Sequence, residues 1–258
     1  MKIAVLVSVG RHPVSGTVRY SRNDAAALTM ALSLAKTHKA TLDVLHAGDP
    51  SNPALQEYLA LGARTVEVLE ISTGADARTD ATAPLAARLR GYDLVLTGTR
   101  AEGAFDSGML PYRVANALEL PLVGAAVDLS ISDGYAQVRQ FMPKGLRRRV
   151  EVRLPALIAV HPMANAAPSY AYARLREGTI RPVATQATAN SDELAWSVRA
   201  ATAKPVRLAA AEKRSGHARM LSATTTESRG GSVVIEGSSV EKAQVILAYL
   251  REHQLVDY

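Results

Sequence analysis

The sequence predicts an α/β fold: a doubly wound, mostly parallel sheet with an antiparallel hairpin addition and a C-terminal extended arm. Three observations predict it. Short apolar runs alternate with helical patterns from the first residue, the signature of repeated βα units. The loop from Gly98 to Gly108 leaves one such run and enters a helical pattern with three glycines in eleven residues. Beyond residue 122 the rhythm changes to β-branched runs separated by Asp-Gly and Lys-Gly turns.

Ile3 to Val9 is continuous and β-branched, as suits a parallel strand covered on both faces. Ser21 to Asp24 has capping-box spacing, and Leu28, Ala31, Leu32 and Ala35 follow at helical intervals. Thr41 to Ala47 reads as the second strand, Asn52 to Leu61 as a helix closed by Gly62, and Thr65 to Ile71 as the third strand. Thr82 to Leu89 is a helix and Asp93 to Thr97 a fourth strand, and a further helix is expected to open at Ser107 and Gly108. Such units require right-handed crossovers, and ligands on the resulting sheet sit beyond the carboxyl ends of the strands. Glycines in the Gly98 loop let backbone approach a phosphate, and the following helix start attracts an anion.

Leu122 to Ile131, a turn over Ser132 to Gly134, and Tyr135 to Met142 form the expected hairpin. A second turn at Pro143 to Gly145 leads into one strand over Val150 to Val160. His161 to Pro182 reads as an exposed loop with a helix around Tyr172 to Arg176. From Ala184 to Ser228 the chain is polar, Thr/Ala-rich and short of large apolar residues, with one helical pattern near Trp196. A short strand within Arg229 to Gly237 and a capped helix from Ser238, apolar at Ala243, Ile246, Leu247 and Leu250, complete it. The expected division is residues 1–183 as a nucleotide-binding domain and 184–258 as an arm that must lie on another surface.

Composition narrows the function. The 258 residues are 48% hydrophobic, enough for a proper core, and contain no cysteine, which excludes disulfides, thiolate chemistry and iron–sulfur clusters. The six histidines have no ligand spacing, so no metal is expected. The net charge of +6 is dispersed except at Lys144 to Arg149, and two Phe and one Trp give little for base stacking. No nucleic-acid partner is therefore expected; the arginine run reads as a solvated hairpin or a contact for an acidic protein. No run approaches the length of a membrane span, so no membrane insertion and a cytoplasmic, soluble protein are expected. There is no nucleophile elbow, no Walker loop and no His–carboxylate constellation, so independent catalysis is not expected.

The order and spacing of several pieces resemble the beta subunit of electron transfer flavoprotein. They are the opening Ile3-Ala-Val-Leu-Val-Ser-Val-Gly-Arg-His-Pro13, Leu59-Ala-Leu-Gly-Ala63, the glycine loop after the Asp93 strand, and Ala115-Asn-Ala-Leu-Glu-Leu-Pro121. Leu154-Pro-Ala-Leu-Ile-Ala-Val160, Ala167-Pro-Ser-Tyr-Ala171 and Gly230-Gly-Ser-Val-Val-Ile-Glu-Gly237 complete the set. The resemblance implies a heterodimer with an alpha subunit that carries most of a redox-active FAD, while the beta subunit holds AMP. It also implies electrons arriving from a dehydrogenase and leaving toward a membrane quinone reductase. By position, the nucleotide contacts would be Ser8, Asn23, Asp24, Ala25 and Ala26, Ala47, and Gly98, Thr99, Arg100, Ala101, Asp106, Ser107 and Gly108. The physical reading agrees in part: Ser8 and Ala47 are small residues at strand ends, where bulk would fill the purine space, and Asn23 and Asp24 can serve ribose or base, or simply cap the helix.

Two segments depart from the family pattern. The glycine loop is shorter and lacks an acidic run, and His12-Pro13-Val14 stands where Val-Pro-Asp is usual. The loop that grips partner dehydrogenases, from Tyr170 on, has Ala173 where the family presents Leu, leaving Leu175 or Tyr172 as the replacement anchor, or a different docking mode. That alteration points to a dedicated catabolic version serving an amine or methylated-amine dehydrogenase. A second FAD in the AMP position, as in electron-bifurcating relatives, and a stand-alone universal-stress-type ATP-binding module are the alternatives.

Overall fold

The computed structural model describes residues 1–12, 14–71, 80–100, 108–185, 215–217, 220, 236–253 and 255–256. The chain divides into two compact units, Met1–Trp196 and Ser197–Tyr258. The first holds every described strand. Its main sheet comprises β1 (Lys2–Leu6), β4 (Thr41–Gly48), β5 (Thr65–Glu70), β6 (Leu94–Gly98), β7 (Leu122–Ser132), β8 (Tyr135–Phe141), β9 (Arg147–Arg153), β10 (Ala156–Val160) and β11 (Thr179–Ala184), in the order β11-β5-β4-β1-β6-β10-β7-β8-β9. Pairing is parallel from β11 through β7 and antiparallel between β7, β8 and β9.

Strand alternation explains the two-sided core. Ile3, Val5, Val44, Val66, Leu94, Leu96 and Ile158 face α1 (Arg22–His38) and α2 (Ala54–Ala60), whose Ala27, Leu28, Ala31, Leu55 and Tyr58 pack against them. Ala4, Leu6, Leu45, Leu69, Val95 and Leu157 face the other way, against Leu85 and Leu89 of α3 (Thr82–Leu89) and Val114 and Ala115 of α4 (Leu110–Ala117). The doubly wound fold is thus present, with an antiparallel addition as expected.

Four differences from the sequence expectation are physical. Val9 is not part of β1: β2 (Val9–Arg11) and β3 (Val18–Tyr20) form a separate antiparallel ribbon before α1. The run from Val150 to Val160 is two strands, because Pro155 has no N–H for a ladder. Val150 and Val152 alternate with exposed residues on the one-faced ribbon, whereas Ala156–Val160 is buried throughout and enters the centre of the sheet between β6 and β7. Thr179–Ala184 is a strand despite Pro182, which is tolerated because β11 is the outermost strand, paired only with β5. Finally, Gly108 adopts φ of 66° and cannot begin a helix, so α4 starts at Leu110.

Local signals hold elsewhere. Ser21 caps α1, its Oγ accepting the Asp24 N–H at 3.4 Å, and Asp133 and Gly134 turn the β7–β8 hairpin with φ of 52° and 78°, as a type I′ turn requires. The short α5 (Arg174–Glu177) precedes β11. In the second unit α6 (Ser239–Glu252) begins with a reciprocal capping box between Ser238 and Glu241 and buries none of its residues, leaving Ile246 62% exposed. The expected helix near Trp196 and the expected strand within residues 229–237 lie largely outside the described residues.

Candidate functional site

Parallel pairing of β1 with β6 (Ile3 opposite Leu94, Val5 opposite Leu96) brings the carboxyl ends of these strands side by side, and the start of α1 lies against them. Asp24, buried in the first turn of α1, joins the two ends. Its Oδ2 accepts the Ser8 N–H at 2.8 Å and the Ser8 hydroxyl at 2.5 Å, while Oδ1 accepts the Gly98 N–H at 3.0 Å. Burial pushes the Asp24 carboxyl up to about 6, against the opposing pull of the hydrogen bonds from Ser8 and Gly98. Gly98 has to be glycine here: a Cβ would stand 2.4 Å from Asp24 Oδ1 and 2.7 Å from Asn23 Cβ.

Two aromatic or titratable groups brace the same lip. The Tyr58 hydroxyl donates to the Ser8 carbonyl at 2.6 Å and accepts the Ser21 N–H at 2.9 Å, tying α2 to both β1 and α1. Nδ1 of His46, near the end of β4, lies 2.8 Å from the Val7 carbonyl, and a carbonyl can only accept, so Nδ1 carries the proton. Burial holds His46 below the ordinary histidine value. Its Nε2 lies 2.5 Å from where a Cβ on Gly48 would be, so the ring closes the floor beside Ala47.

After Gly98, the Asn23 side-chain amide donates to the Arg100 carbonyl at 3.3 Å, fixing where the loop departs. The chain returns at Gly108, whose missing Cβ would be 3.4 Å from the Thr99 carbonyl oxygen. Ser8, Asn23, Asp24, Gly98, Thr99, Arg100 and Gly108 therefore converge at one sheet edge. Ala25 and Ala26 face the core at 0% and 4% exposure, and Ala47 sits half-buried at the end of β4. Ala101, Asp106 and Ser107 lie outside the described residues. Tyr58 and His46 were not singled out from the sequence; an apolar strand interrupted by one His two residues before a Gly was the available signal for His46.

On the docking loop, Tyr170 and Tyr172 form an edge-to-face pair with centroids 5.2 Å apart. Tyr172 is 77% exposed and Ala173 is exposed, whereas Leu175 is half-buried against the main core. Among the described residues, no group of three His, Asp or Glu could hold a metal, and no helix is long and apolar enough to cross a membrane.

Comparison with known proteins places the chain in a family. The electron transfer flavoprotein domain family matches residues 16–193. The chain is 37% identical to the electron transfer flavoprotein subunit beta of Chromohalobacter salexigens over 99% of its own length and 96% of that protein. It is also 34% identical, over 53% of each chain, to the caffeyl-CoA reductase-Etf complex subunit CarD of Acetobacterium woodii. A match across nearly both full lengths, on a sheet edge shaped as described, shows that the chain belongs to the electron transfer flavoprotein beta-subunit family, whose members carry electrons rather than catalyse a reaction of their own.

Proposed function

We propose that the chain pairs with an alpha subunit that holds most of an FAD, and that the edge between β1, β4 and β6 holds AMP. The observation that carries the nucleotide reading is the set of small residues, Ser8, Ala47 and Gly98, at neighbouring strand ends beside the first turn of α1. These residues fit a purine ribonucleotide: Ser8 and Ala47 leave open the volume that larger residues would fill, the missing Cβ of Gly98 lets the first turn of α1 close against β6, and the Asn23 Oδ1 can accept from ribose while its Nδ2 donates to Arg100. The FAD, when bound, supplies the redox chemistry, and this chain has no cysteine to hold an iron–sulfur cluster. The residues of this chain bind, orient and exclude water.

The proposed route takes electrons in the cytoplasm from a dehydrogenase, of an amine or methylated-amine pathway, and delivers them to a quinone reductase. Residues 184–258 act in this reading as the arm that docks on the alpha subunit, which suits the exposed apolar side chains of α6. Ligands released from the coexpressed pair and weighed by mass spectrometry test it: one FAD and one AMP per pair are expected. Two FAD would favour the bifurcating arrangement, and no adenine nucleotide would overturn the pocket.

Of the candidate anchors, Tyr172 is the one that projects, stiffened by Tyr170. Tyr172→Ala is expected to raise the KM of the assembled flavoprotein for its donor dehydrogenase on the order of tenfold, with cofactor content unchanged. An unchanged KM would remove Tyr172 from the contact.

A further inference from the structure

The Asp24 carboxylate is fully committed. Three donors from two strands converge on it, namely the Ser8 N–H, the Ser8 hydroxyl and the Gly98 N–H. All three lie where the sequence reading places nucleotide contacts, and Gly98 opens the glycine loop whose backbone is expected to approach a phosphate. A donor already directed at a buried carboxylate cannot also serve a phosphate without breaking that bond. The neighbouring carbonyls are tied as well, Ser8 O by Tyr58 and Gly98 O by the Thr97 hydroxyl at 2.8 Å.

We propose that Asp24 is a positioning residue for the nucleotide, setting the spacing between the ends of β1 and β6 and keeping the donors of Ser8 and Gly98 away from the ligand's phosphate. Asp24 then supports the purine and ribose end of the site and touches no ligand atom. This rests on the nucleotide reading above.

Only the ionised carboxylate can accept all three donors; a protonated one directs its own O–H against one of them. The titratable side chains on the surrounding elements are Tyr58 of α2, joined through the Ser8 carbonyl, and His46 of β4, joined through the Val7 carbonyl. α1 also carries Arg22, Lys36 and His38, β1 Lys2, β4 Asp43 and α2 Glu57, and Arg100 follows β6. None of these is among the causes of the Asp24 shift, which are burial and the hydrogen bonds of Ser8, Gly98 and Ser21. Two consequences of opposite sign follow. Because the folded value is raised from 3.8 to about 6, the stability linked to Asp24 is greatest below the ordinary value and is lost as pH rises through about 6. Nucleotide affinity changes the other way, falling as Asp24 takes up its proton.

The test measures AMP and adenosine binding to the full-length chain by calorimetry, with melting of the ligand-free protein, at about pH 7.5 and about pH 5. Asp24→Asn is expected to weaken AMP and adenosine by the same factor, on the order of tenfold, and to abolish the acid weakening expected of the parent protein. On acidification the ligand-free parent should gain stability relative to the variant while losing affinity, a split that a purely structural carboxylate would not produce. Loss of AMP binding alone, with adenosine unchanged, would show that these amides meet the phosphate and overturn the proposal. Unchanged affinity for both ligands would overturn it too. If Asp24→Asn does not fold, Ser8→Ala, which removes one of the three donors, and the pH profile of the parent decide by the same AMP-to-adenosine ratio. A parent chain that binds neither ligand at about pH 7.5 would refute the nucleotide reading itself, and this inference with it.

Discussion

Gly98→Ala is expected to empty the nucleotide site and to cost the fold about 3 kcal/mol. The added methyl would lie 2.4 Å from Asp24 Oδ1, 2.7 Å from Asn23 Cβ and 3.0 Å from the Asn23 backbone carbon. Two of those three neighbours are fixed parts of α1 and cannot rotate aside, and the third is the carboxylate that holds β1 to β6. Relief therefore requires α1 to move off the sheet, which exposes part of the core packed beneath Ala27, Leu28 and Ala31. Urea unfolding with nucleotide quantified on the purified protein measures both effects. Gly124→Ala is the matched control, since its Cβ would meet only the Tyr112 hydroxyl at 3.7 Å. Equal behaviour of the two variants would show that the close approach at Gly98 does not constrain the site.

Glu67→Ala should be nearly as damaging, by about 3 kcal/mol, without touching the nucleotide edge. Glu67 lies in the middle of β5 with its side chain 6% exposed, and Arg88 of α3 grips it through Nε at 2.5 Å and Nη2 at 3.2 Å. Arg181 of β11 bonds the same carboxylate. Arg88 also donates to the Tyr92 hydroxyl at 2.7 Å, which in turn donates to Asp43 at 2.5 Å. Burial, with Asp43 beside it, pushes the Tyr92 phenol up to about 12, so it remains a donor throughout the neutral range. Removing Glu67 leaves two guanidinium groups sharing a half-buried space with no carboxylate between them. Arg181 is 61% exposed and can turn to water, which keeps the loss toward the lower end for a broken buried pair.

The same carboxylate gives the fold an acid limit. The Arg88 hydrogen bonds hold Glu67 below its ordinary value of 4.5, so its contribution is complete above that value and lost as pH falls below it. Glu67→Gln should therefore show a flatter decline in melting temperature at acid pH than the parent protein. Parallel acid profiles would assign the limit to other groups.

Elements whose causes are local were legible in the sequence. Thr82–Leu89 coincides with its periodicity and the helix from Ser238 with its capping box, and Asp133-Gly134 turns as its residue types require. What escaped depends on position in the sheet. Residues 161–182 show no strand period, yet Thr179–Ala184 is an outermost strand that can spare the N–H of Pro182; Leu154-Pro155 gave no sign that the residues on its two sides belong to different parts of the sheet. The site divides in the same way. Ser8, Asn23, Asp24 and Gly98 were marked by position, but Asp24 reads locally as a cap partner for Ser21. Its carboxylate instead reaches residues 16 and 74 positions away, a relation no short pattern encodes.

Among the described residues, the nine-stranded sheet ends at β9 on one side and β11 on the other. Along β9 stand Arg147, Arg148, Arg149 and Arg153, all exposed, and in the middle of β11 stands a residue without an amide hydrogen. A second molecule approaching either lip meets guanidinium repulsion or a gap in the ladder, so copies cannot zip together through their rims. Both rims thus carry features that oppose strand addition by another chain.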